Sequence, residues 1–211
     1  NDTGTAIMVF MSGVFVVLLA GIRWRIVFAG LFAGLLGSPA WYLFLAQAHQ
    51  KNRILTFLDP YRDPTGAGYN IIQSQIAIGS GGIYGKGYGN GAQSHLDFIP
   101  ESHTDFILAV LAEEFGLLGV LFLIGLYLFV LLRGFAIAYA ARDLFGRLLA
   151  GSITLTFFLY VFINMAMVSG LMPVIGLPLP LISRGGTSIV TLFIGFGLLM
   201  SIQTHDRQKF P

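Results

Sequence analysis

The chain has 211 residues, of which 55% are hydrophobic and 10% charged, where soluble globular domains carry roughly a quarter charged residues. The formal charge of +2 comes from basic residues scattered between apolar runs, a pattern that gives no basic patch for nucleic acid and suits a protein embedded in a bilayer. Without cysteine, a disulfide framework and thiolate chemistry are excluded.

A bilayer core takes about 20 apolar residues per helix. Five stretches qualify in chain order: Thr5 to Gly21, Ile26 to Ala46, Phe106 to Leu132, Leu148 to Val168, and Ser188 to Gln203. The expected fold is therefore an all-α polytopic helix bundle forming one membrane domain over residues 1–211. Arg23 and Arg25, then Arg133, Arg142 and Arg147, then Arg207 and Lys209 mark three cytoplasmic places by the positive-inside rule. The start of the chain and two loops, about 47–104 and 169–187, then face outward. Asn1 opens the chain with no charged leader or cleavage site, so a signal peptide is not expected and a piece of a longer protein is.

Within the first outer loop, the Pro- and Gly-punctuated run from Leu58 to Gly68 predicts an ordered turn region. Tyr69, Ile72 and Ile76 share one helical face, which predicts a short helix lying on the membrane surface or packed on the bundle. The run Gly79 to Gly91 is rich in glycine and holds Lys86. Exposed backbone N–H groups beside a cation could cradle phosphate, though glycines alone more often mean tight turns. A nucleotide P-loop is excluded, because Ser80 stands where that motif needs glycine and Gly87 where it needs Ser or Thr.

The segment from Gln93 to Asp105 gathers two histidines, His95 and His103, and the carboxylates Asp97, Glu101 and Asp105. Its spacing does not put ligands on one helical face, so a structural zinc site is not expected, while a single hydrated Mg or Mn ion at Asp105 is compatible with it. An acidic residue at the start of a membrane helix is costly unless it works or is paired. Asp105 is thus the leading catalytic candidate. The competing reading makes Thr104 or Asp105 a helix cap. On a continuous helix from Asp105, Glu113 could share its cavity, whereas Glu114 would face away.

Prolines 173, 178 and 180 in the second loop cannot continue a helix. Irregular backbone at this depth is tolerated where it is buried or lines a polar cavity, so a re-entrant loop beside the first one is expected.

These residues carry a resemblance. Asn164, five residues, Gly170-Leu-Met-Pro173, Gly176 and Ser183-Arg184-Gly185-Gly186-Thr187-Ser188, with the blocks Gly68 to Gly82 and Pro100 to Phe106, resemble the C-terminal half of the SEDS family of shape, elongation, division and sporulation proteins. The Gln93-Ser94-His95 wording and the Asp59-Pro-Tyr-Arg-Asp63-Pro turn resemble its rod-shape branch more than its division branch. The resemblance implies about ten transmembrane helices, of which these five are the second half, in the bacterial cytoplasmic (inner) membrane with the site facing outward. It implies a peptidoglycan glycosyltransferase that polymerises lipid II, with Asp105 as the essential aspartate. The partners it implies are a class B penicillin-binding protein and other membrane proteins of the elongation complex.

The reaction needs a base for the attacking sugar hydroxyl, assigned to Asp105, and positive groups for the leaving pyrophosphate. Candidate substrate-binding residues are Lys86, Gln93, Ser94, Glu101, His103, Thr104, Ser183, Arg184, Gly185 and Gly186, with Glu113 as a supporting acid. Arg184 stands where the family usually has Tyr, Ser or Ala. It could clash with the loop or contact phosphate. Two alternatives stay open: a lipid II flippase, which would favour charges at the bilayer midplane, and a non-catalytic scaffold, which would need neither the aspartate nor the glycine loop.

Overall fold

A computed structural model describes residues 3–62, 66–91 and 104–208, and the described residues are helical with irregular connections. The helices are α1 Thr3–Leu19, α2 Trp24–Ala40, α3 Ala48–Leu58, α4 Ala67–Gly81, α5 Ile107–Ala140, α6 Leu144–Val168 and α7 Gly186–Gln208. A π-helical turn, Trp41–Leu45, extends α2, and a 3-10 turn, Pro60–Arg62, follows α3. Four helical stretches are long and apolar enough to cross a membrane, and Gly4–Leu19 is a shorter apolar helix.

All five apolar stretches of the sequence are helical. The third runs on past Leu132 to Ala140, because Arg133 ends the apolar window without breaking the helix. Gly125 and Gly134 are the last glycines before Ala141, and arginine is a good helix former whose long stem can carry its charge towards the interface.

The bundle is centred on α5 and α6. Tyr127, Phe157 and Phe196 stack edge to face with centroids 5.8 and 5.6 Å apart, joining α5, α6 and α7 through quadrupole-favoured geometry. At Gly134 the helices approach so closely that a Cβ would run into the Thr154 side chain, the close packing by small residues that membrane helices use in place of a hydrophobic drive. The α1 helix lies on α6, where the Ser152 hydroxyl donates to the Ser12 carbonyl at 3.2 Å. By contrast, α2 leaves Phe28, Phe32, Leu35 and Leu36 exposed, as surfaces facing hydrocarbon or another membrane segment do.

The first outer loop contains two helices. The α3 helix begins where the Gln47 N–H donates to the Gln50 side chain at 3.1 Å, a reciprocal capping pattern. The α4 helix packs on the bundle, but with a face rotated from the expected one: Ile71, Ser74 and Ala77 are buried, while Ile76 is exposed. The reason is that the contact surface favours small residues. Ser74 donates from Oγ to the Val168 carbonyl at the end of α6, at 3.0 Å, and a Cβ on Gly81 would strike the Ala112 carbonyl.

Candidate functional site

Asp105 does not sit within a continuous helix. Residues 104–106 form a turn, and α5 begins at Ile107 with Phe106 at its N-cap position and no side-chain cap hydrogen bond. The main chain of this turn is held from the second outer loop. The Asn164 side-chain amide, at the outer end of α6, donates to the Asp105 carbonyl at 2.8 Å and to the Leu177 carbonyl at 2.7 Å. Ser183 donates from its hydroxyl to the Thr104 carbonyl at 2.6 Å and accepts from the Leu179 N–H at 2.7 Å. Both loops are therefore tied to one another at the aspartate.

The carboxylate lies against Gly176, whose missing Cβ would stand 3.5 Å from Asp105 Oδ2. Gly176 has φ +82°, a left-handed conformation that glycine adopts without penalty. Close by, Leu181 also has positive φ, at 66°. Such a residue is uncommon and persists where surroundings over-determine it. Here the Tyr127 hydroxyl holds the preceding Pro180 carbonyl at 2.7 Å, and the Ser183 N–H reaches the Leu179 carbonyl at 3.0 Å.

Gly176 also lines a cavity of about 660 Å³ between α1, α6, the second loop and α7. Its walls are mainly apolar, with hydroxyls from Ser152, Thr156, Thr187 and Ser188 among them. Gly185, Thr187 and Ser188 place the N-terminal turn of α7 on the same wall, where unpaired N–H groups and the helix dipole favour an anion. Arg184 is exposed just before that turn. Arg53 on α3, which the sequence reading did not single out, donates to the Ile175 carbonyl at 3.4 Å. Nothing in its local pattern distinguished it from a topological arginine.

The glycine loop does other work than the expected phosphate cradle. The helix α5 breaks at Gly116, with φ 66° and ψ −164°, a region essentially confined to glycine. Its carbonyls at Glu113 and Glu114 accept instead from the N–H groups of Lys86, at 3.0 Å, and Gly87, at 2.9 Å. In exchange, Leu117 and Leu118 donate to the carbonyls of Gly82 and Ile83 at 2.9 and 3.1 Å. Gly85 and Gly89 N–H groups are engaged too, on the Gly81 carbonyl and the Glu114 carboxylate. Backbone donors required for an anion are thus already used inside the protein.

Lys86 is corrected likewise. Its ammonium meets Glu113 Oε1 at 2.7 Å, with the glutamate fully buried and the lysine side chain 33% exposed. Glu113, expected to support Asp105, is engaged by the glycine loop, because the break at Gly116 draws that loop onto the last turn before it. Ser183, expected to touch substrate, is buried with its hydroxyl committed to both loops. Gly186 opens α7, and Gly185 accepts the Ser188 hydroxyl at 2.9 Å. Gln93, Ser94, Glu101 and His103 lie outside the described residues. Among the described residues no group of three His, Cys, Asp or Glu side chains could hold a metal. The Asp105 carboxylate is the kind of oxygen donor that a hydrated Mg or Mn ion takes.

Comparison with known proteins places this arrangement. Residues 1–208 match the family model for cell cycle proteins of the FtsW, RodA and SpoVE type. The chain is 52% identical over 206 residues to the peptidoglycan glycosyltransferase MrdB of Escherichia coli K12, covering 98% of this chain and 56% of that protein. It is 40% identical over 208 residues to the probable peptidoglycan glycosyltransferase FtsW of Geobacter sp. strain M18, with coverage of 98% and 56%. The chain thus spans about half the length of the curated relatives it matches.

Among solved structures, one of a peptidoglycan synthase complex, described as coordinating polymerization and crosslinking, superposes with a TM-score of 0.81 at 35% identity, covering 99% of this chain and 57% of that one. An aspartate-to-alanine mutant of the rod shape-determining protein RodA of Thermus thermophilus matches at 0.60 and 29% identity, covering 97% and 50%. With its apolar helices and its match over nearly the whole chain, this multi-pass membrane protein belongs to the FtsW/RodA/SpoVE family of cell cycle proteins.

Proposed function

We propose that the chain is the C-terminal part of a peptidoglycan glycosyltransferase of the rod-shape branch, polymerising lipid II at the outer face of the bacterial cytoplasmic membrane, with Asp105 as general base. The observation that carries the reading is the convergence of both loops on Asp105: Asn164 and Ser183 hold its turn, and its carboxylate adjoins Gly176 on the cavity wall. The names of the relatives support the activity.

In the reaction, the Asp105 carboxylate takes the proton from the attacking sugar hydroxyl of one lipid-linked substrate. That oxygen bonds to the anomeric carbon of the second substrate. The bond from this carbon to the pyrophosphate oxygen breaks, and undecaprenyl pyrophosphate leaves with the electron pair. The developing negative charge is met by Arg184 and the N-terminal turn of α7. A hydrated Mg or Mn ion would enter with the pyrophosphate, and no step here depends on it. The apolar cavity has a volume typical of small-ligand clefts and suits the lipid-linked end of a substrate. A class B penicillin-binding protein and other elongation-complex membrane proteins are the proposed partners, in keeping with the polymerization and crosslinking named for the similar complex.

The test is glycan-strand synthesis from purified lipid II by the full-length parent protein with its penicillin-binding partner. Wild type should yield polymer and Asp105→Asn none, with equal expression and thermal stability. Equal polymer from both would remove Asp105 from the chemistry. A correctly folded wild type that binds lipid II and makes no polymer would favour transport or scaffolding.

A further inference from the structure

Asn164 is fully buried near the outer end of a membrane helix. Its Nδ2 serves two carbonyls at once, those of Asp105 and Leu177, and the orientation of the amide is fixed by that demand, because the flipped amide would set oxygen against oxygen. The consequence is that Oδ1 is buried without a hydrogen-bond partner among the described residues. An unsatisfied buried acceptor is costly, so the arrangement keeps a penalty that a purely apolar contact between the loops would avoid.

Geometry says what the two donor bonds control. One fixes the main chain of the residue that carries the carboxylate. The other fixes Leu177, which directly follows Gly176, the residue against which Asp105 Oδ2 rests. A single planar group therefore sets the Asp105 backbone and the wall its carboxylate touches in one frame. Leu177 is itself buried with Met8 and Ile163, so the frame is anchored to α1 and α6 and not to the loops alone.

We propose that Asn164 is the positioning residue of the site, holding the Asp105 carboxylate against Gly176 by clamping the Asp105 and Leu177 carbonyls. This inference rests on the reading of Asp105 as the base. Displacing a catalytic group by about 1 Å can cost about 100-fold in rate, so loss of the clamp should appear in kcat with KM for lipid II nearly unchanged.

The experiment compares Asn164→Asp, Asn164→Leu and Asp105→Asn with wild type in the full-length protein and its partner, using lipid II as substrate and normalising to monodisperse protein. Asn164→Asp is close to isosteric, and it can donate only when protonated. Facing two carbonyl oxygens in a buried place, its acid form is favoured over its anion. The ratio of its kcat to that of wild type should therefore fall as pH rises from about 5.5 to 8.5, while Asn164→Leu stays low by about 30- to 100-fold at every pH. Taking the ratio cancels the titration of Asp105 itself.

A flat ratio near one, or kcat preserved in Asn164→Leu, overturns the proposal. Failure to recover folded Asn164→Asp at any pH makes Asn164 a folding anchor and overturns it as well. Should Asp105→Asn polymerise like wild type, the reading of the site fails whatever the Asn164 variants do. A dead Asp105→Asn beside fully active Asn164 variants removes this inference alone.

Discussion

Lys86 and Glu113 can be separated by charge, and their unequal burial predicts an unequal result. In Lys86→Met the fully buried Glu113 loses the ammonium at its Oε1. Removing one partner of a buried ion pair costs roughly 3–5 kcal/mol, because the other charge loses its compensation where water solvates it poorly.

In Glu113→Gln the orphaned ammonium is 33% exposed, so water can solvate it, and the amide oxygen still accepts from it. The expected cost is about 1 kcal/mol. The double variant should resemble Glu113→Gln, since neither buried charge remains. Thermal denaturation of the full-length protein in detergent provides the assay. At roughly 2–4 °C per kcal/mol for a domain of this size, Lys86→Met should melt roughly 6–20 °C below wild type and Glu113→Gln only about 2–4 °C below it. Equal melting of the two single variants would refute the buried clamp.

Other substitutions test the remaining contacts. Gly116→Ala should destabilise by more than about 3 kcal/mol in the same melt, since it combines a strained conformation with a collision against the Gly85 and Ile83 main chain. Ser183→Ala strands the Leu179 N–H and removes the hydroxyl's bond to the Thr104 carbonyl, so a loss of about 1–3 kcal/mol and a drop in kcat are expected, with lipid II KM little changed. Gly176→Ala adds a methyl at ordinary contact distance from Asp105 Oδ2 and strains the backbone by about 1–2 kcal/mol. The protein should fold, and polymer synthesis should slow; unchanged synthesis would move the carboxylate away from this wall.

What was legible in the sequence was whatever follows from length, hydropathy and proline. Apolar runs located five helices, four of them long enough to span, and prolines 173, 178 and 180 located the irregular second loop. The α3 helix was missed because its residues mix Gln, Lys, Asn and Arg with Ile, Leu and Phe, so no apolar run announces it. The α4 face was misread by following isoleucines, whereas contact was decided by Ser74, Ala77 and Gly81. In water large apolar side chains mark the buried side; at a membrane surface they can stay in lipid while small residues admit a neighbouring backbone.

The larger miss has one physical source. Gly116 sits in a run that reads as a perfect spanning helix, and glycine inside membrane helices is common enough to carry no warning. Only its partner identifies it as a break: residues 82–87 trade hydrogen bonds with residues 113–118, a non-local exchange that periodicity cannot reveal. That exchange engages Lys86, Glu113 and the glycine N–H groups within the protein. It turns attention for pyrophosphate contacts to the first turn of α7, which shares the cavity wall with Gly176, and to the exposed Arg184 just before it. The expectation is that Arg184→Ala raises lipid II KM about tenfold, the loss of a single charge-assisted contact, whereas Lys86→Met acts through stability alone. A KM effect in folded Lys86→Met equal to that of Arg184→Ala would restore the glycine loop to the site.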